Sequence, residues 1–142
     1  MIWPPTFEDR LRAWHDLRQD ISNTDLATAL NMVNDWWWLA PMVNRSMDRD
    51  HAESWPGPWE LLAQNGFCDL ARALAMSYTV LMAARTDIEN LDLISVAGDN
   101  LVRINSGKYI LNWSPGCIVN NLSPESAVTS IIGSQELQRL IG

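Results

Sequence analysis

A chain of 142 residues with 17 acidic and 10 basic side chains, net charge −7, is long enough for one domain whose folding removes roughly 70% of the extended chain's surface from water. Its acidity argues against binding DNA or RNA, which needs clustered Lys and Arg to displace phosphate counterions; here the basic residues stand singly, most of them near Asp or Glu. Only Cys68 and Cys117 are present, too few for a disulfide framework and without the paired spacing of a zinc site, so a reduced compartment is expected, with no metal and no cofactor.

The opening Met1-Ile2-Trp3-Pro4-Pro5 has no basic region, and no segment approaches the ~20 apolar residues of a membrane helix. A soluble protein made in a cytoplasm is expected, with no membrane partner. Thr6 with Asp9 three positions on reads as a helix cap, and Phe7, Leu11, Trp14 and Leu17 then recur at helical spacing, predicting an amphipathic helix over about residues 7–19. Asn23 or Thr24 caps a second helix, with Leu26, Leu30, Val33 and Trp37 on one stripe and Pro41 as its stop. Within it, Trp36-Trp37-Trp38 place three indoles about 100° apart, so they cannot all face one core.

Residues 42–54 read as a polar loop leading into an elbow, Trp55-Pro56-Gly57-Pro58-Trp59, in which prolines fix the chain direction. A short helix should follow and close at Gly66 in the left-handed conformation. From Cys68 to about residue 84, Leu70, Leu74, Tyr78, Leu81 and Met82 repeat at three and four residues while alanines widen the apolar surface, predicting a nearly buried central helix. The period then changes. Segments 91–97, 100–105 and 108–113 are rich in Val, Ile and Leu and separated by Gly98-Asp99 and Ser106-Gly107, the pattern of a three-stranded antiparallel meander. Ser123-Pro124-Glu125 reads as a helix start broken at Gly133, with a last helix from Ser134 to Ile141. One α+β domain over residues 1–142 is the expectation: N-terminal helices, a central helix on a meander, and short C-terminal helices.

Chemistry is sparse. Cys68 at a helix N-terminus is the best candidate nucleophile, because the helix dipole and free amides favour a thiolate. It needs an imidazole base oriented by Asp or Asn, and the two histidines, His15 and His51, both precede it. A buried, inert thiol is the commoner state. His51 with Asp48 and Asp50 is a poor match to a catalytic metal site, which needs three ligands in fixed geometry. Asp87, Glu89 and Asp92 read more simply as a solvated turn than as an acid/base pair. Phosphate-binding glycine loops and the G-x-S-x-G nucleophile elbow are missing from the sequence.

A Cys opening a buried helix, followed by an antiparallel meander, resembles the core of transglutaminase-like and papain-like cysteine enzymes over about residues 55–115. In those folds a His and an Asp come from successive strands; the matching places here hold Asp99 or Asn100, and Asn112, so the resemblance implies the fold without the activity. A second resemblance covers most of the chain. Ala40 to Asn44, Trp55 to Trp59, Cys68 to Leu74 and Tyr109-Ile110-Leu111-Asn112-Trp113 are similar to segments of small tailed-bacteriophage proteins.

That resemblance implies a non-enzymatic structural component of the virion, at the neck, tail or baseplate, synthesised in the host cytoplasm and present in several copies. With eight Trp against two Phe and two Tyr, a Trp-rich surface is expected to bind other virion proteins, through Trp3 and through Trp36 or Trp38. The alternative is a cysteine-dependent hydrolase or acyl transferase using Cys68 with His51 and Asn112. A third reading is an acidic adaptor that binds a host protein.

Overall fold

The computed structural model describes residues 2–44, 47–119 and 128–142. Helix α1 (Phe7–Ile21) starts where expected, with the Thr6 hydroxyl accepting from the Asp9 amide at 3.1 Å, and it buries Trp14, Leu17 and Ile21. Helix α2 (Leu26–Trp37) is capped by Asp25, one residue later than the sequence suggests; its carboxylate accepts from the Thr28 amide. Trp38 is already the C-cap, so α2 ends before Pro41. Helix α3 (Pro58–Leu62) opens on the second proline of the elbow.

Helix α4 (Asp69–Met82) is the centre, and every residue from Leu70 to Val80 on it is buried. It packs on strands β1 (Leu91–Val96), β2 (Asp99–Ile104) and β3 (Tyr109–Ser114), the expected meander. The sheet is wider than three strands. Short β4 (Cys117–Val119) and β5 (Val128–Gly133) extend it to the order β4-β3-β2-β1-β5, every neighbouring pair antiparallel. The expected helix start at residues 123–125 lies outside the described residues, but Val128–Gly133 is a strand. Val128, Thr129, Ile131 and Ile132 are β-branched and suit a pleated surface, and Ile131 pairs with Ile94 of β1. Helix α5 (Ser134–Ile141) follows directly and buries Leu137.

The helical side of the sheet contributes Leu91, Leu93, Val102, Ile104 and Leu111 to the main core, while Ile94, Leu101 and Ile110 form a second buried cluster. Three helices meet at one hydroxyl. Thr79 Oγ1 accepts from Trp14 Nε1 of α1 and Trp37 Nε1 of α2, both at 2.9 Å, and donates to the Ala75 carbonyl at 2.7 Å. Near the end of α4, Arg85 donates to the carbonyls of Ile21 and Thr24, tying down the connection between α1 and α2. The Tyr78 hydroxyl donates to the Pro56 carbonyl at 2.6 Å and so anchors the elbow; burial, with the Glu60 carboxylate, pushes that phenol's pKa upward.

Gly66 does not close α3, whose C-cap is Ala63, and it has no positive φ. Its role is close approach. A Cβ there would run into Val43 Cγ1, because Phe67 and Pro41 to Val43 exchange backbone hydrogen bonds around a parallel bridge between Met42 and Phe67.

Candidate functional site

The start of α4 lies against the strands at Asn100 and Asn112. Cys68, 4% exposed, is the N-cap of α4, and its sulfur accepts from the Ala71 amide at 3.4 Å. Asp69 Oδ2 accepts from the Asn100 amide at 2.7 Å and from its Nδ2 at 3.2 Å, and Oδ1 accepts from Asn112 Nδ2 at 3.0 Å. One turn on, Arg72 is buried, donating from Nε to Asn112 Oδ1 at 2.6 Å and from Nη1 to Met42 Sδ at 3.1 Å. Its guanidinium lies 3.3 Å from the centre of the Trp38 ring. Desolvation lowers the Arg72 pKa and Asp69 opposes the shift; a guanidinium stays charged throughout.

Asn112 carries most of this cluster. It sits at φ +68°, a left-handed conformation that Asn tolerates better than most residues, where the β3 register is interrupted. The irregularity turns its side chain inward. Its amide donates to Asn34 Oδ1 of α2 at 2.9 Å, and Asn34 Nδ2 donates to the Ser114 carbonyl. Thus α2, α4, β2 and β3 are joined through polar side chains that hold one another in place.

The carboxylate of the cluster, Asp69, is held by Asn100 and Asn112. Asn100 and Asn112 cannot take a proton at neutral pH, and the imidazoles are engaged elsewhere. His51 is exposed, with Nδ1 2.8 Å from Asp48 Oδ2, and exposed His15 faces Asp16 at 3.6 Å. The hydrogen bond and charge of Asp48 raise the His51 pKa above its ordinary 6.5. Among the described residues, no group of three His, Cys, Asp or Glu is placed to hold a metal. Asp87 pairs with Arg85 at 2.7 Å and Asp92 with Arg103 at 3.0 Å, so these acids are ion-paired with neighbours.

Trp3 and Trp36, read from the sequence as partner contacts, pack against the chain itself. Trp36 is only 7% exposed, and Trp3 packs over it at 4.9 Å and over Phe67 at 5.5 Å, so both belong to an internal aromatic cluster with Trp37. Trp38 is half-buried on Arg72. The residue that sequence reasoning missed is Arg10. Although on α1 it is buried, and it donates to the carbonyls of Pro4, Pro5 and Gln64, folding the N-terminal arm back so that Trp3 covers Trp36. The outward indoles are Trp59 and Trp113, 47% and 48% exposed.

A groove of about 510 Å³ runs between α1 and α2, with Leu17, Met32, Trp36 and Leu39 along it and Asp16, Asp20 and Asp35 beside them. Comparison with protein-family models, with curated proteins and with solved structures finds no match to this chain.

Two outcomes follow from the geometry. Asn112→Ala should lower unfolding free energy by roughly 2–4 kcal/mol in denaturant titration, since it strands buried donors and acceptors and leaves Ala in a left-handed conformation. His51, raised when folded, adds stability that is fully present below its ordinary pKa and is lost as pH rises through the raised value. An NMR titration should therefore place its midpoint above 6.5, and Asp48→Asn should bring it back down.

Proposed function

We propose that the protein is a non-enzymatic structural component of a bacteriophage particle that works by binding neighbouring subunits. The phage assignment is supported by the resemblance of three segments, the elbow at Trp55 to Trp59, the start of α4 and strand β3. What favours binding over turnover is one observation: the Cys68 sulfur caps a helix, Asp69 and Asn112 are hydrogen-bonded to one another and to their neighbours, and His51 is paired with Asp48 on the surface. A thiol enlisted as a helix cap gives a helix start, where a nucleophile would need an adjacent base.

In this reading Trp3 and Trp38 brace the chain's own surface, and contact with neighbours falls to the outward Trp59 and Trp113 and to the groove between α1 and α2. Mass spectrometry of purified particles should find the protein in several copies; its absence from particles would contradict the assignment. In a Cys117→Ser variant, alkylation of Cys68 should be roughly tenfold or more slower in the native protein than in denaturant. Fast, pH-dependent alkylation of the native thiol would instead favour a cysteine hydrolase or acyl transferase.

A further inference from the structure

We propose that the groove between α1 and α2 docks a basic amphipathic helix of a partner protein. The two helices are joined by a short connection, Ser22 to Asp25, which makes them antiparallel neighbours. Two such helices leave a furrow that a third can fill, with apolar side chains entering at helical spacing. Here the floor is Leu17 and Trp36, which are buried, with half-buried Met32 and Leu39.

The rim selects the occupant by charge. Asp16 and Asp20 stand one turn apart on α1, and Asp35 lies on the α2 side of the groove, all three exposed; Asp35 Oδ1 also accepts from the Gly116 amide at 3.0 Å. Among the described residues, neither Asp20 nor Asp35 makes an ion pair. Like charges one turn apart on a helix are mildly destabilising, so carboxylates gathered around an apolar furrow lower the cost of binding a cation there. A second copy of this chain would bring net charge −7 to the same place and be repelled. A helix with Lys or Arg flanking an apolar stripe matches both the floor and the rim.

The proposal rests on the reading that the protein acts by binding neighbours. The probe is a fluorescein-labelled Leu/Lys amphipathic peptide of about 18 residues, five turns of helix, titrated by anisotropy against the full chain at physiological ionic strength; the same peptide with Glu for Lys is the charge control. The Lys peptide should bind and the Glu peptide should not. The triple variant Asp16→Asn, Asp20→Asn, Asp35→Asn should weaken binding roughly tenfold or more, while the equal-charge control Glu53→Gln, Glu89→Gln, Asp99→Asn changes it less than about twofold. Met32→Glu, with unchanged thermal unfolding, should also abolish binding. Equal losses in the two triple variants, no binding of the Lys peptide, or self-association that Met32→Glu removes would each overturn the proposal. Recovery in particles without peptide binding retires the groove alone; peptide binding by a protein missing from particles retires the virion assignment alone.

Discussion

The arrangement of the helices depends on the hydroxyl of Thr79. A threonine offers one donor and two acceptor lone pairs, and all three are used: two indole N–H groups come in from α1 and α2, and the proton goes to the Ala75 carbonyl. Hydrophobic burial alone is non-directional and would let α1 and α2 slide or rotate on α4. A deeply buried indole usually finds an acceptor for its N–H. Trp14 and Trp37, each about 1% exposed, meet that condition at a single oxygen, which fixes the helices relative to one another. The groove between α1 and α2 inherits its shape from this junction.

The other end of α4 is governed by the same requirement at higher stakes. Arg72 carries a charge into the interior, and a buried cation is tolerated only when its partners are complete. Asn112, Asp69, the Met42 sulfur and the Trp38 face supply them. These contacts do little for net stability compared with apolar residues of equal volume. They fix where β2 and β3 meet the helix. The polar groups at this end of α4 serve cohesion.

Much of the fold was legible in the sequence because its signals are local. Thr6 and Asp9 announce a cap, the Leu70-Leu74-Tyr78 repeat announces a buried helix, and the meander is separated by turns in which Ala97-Gly98 and Asn105-Ser106-Gly107 adopt positive φ. What was missed depends on distant partners. Val128 to Gly133 becomes a strand because β1 offers an open edge, which no local pattern near Pro124 reveals. Trp36 faces inward because Arg10, far away in sequence, pulls the N-terminal arm across it. Asn112 reads as an ordinary polar residue of a strand until Asn34, Asp69 and Arg72 converge on it. A hint was present in Arg72 itself, a lone cation on an otherwise apolar helix one turn after Asp69.

The most direct measurement compares Thr79→Val with Thr79→Ser in equilibrium denaturation. Valine keeps the shape and removes the hydroxyl, leaving two buried indole donors unpaired, so the account predicts a loss of about 2–5 kcal/mol for Thr79→Val. Serine keeps the hydroxyl and loses one methyl, which should cost only about 1 kcal/mol. Equal costs for the two variants, or a Thr79→Val protein as stable as the wild type, would contradict the claim that this one hydroxyl sets the docking of the helices.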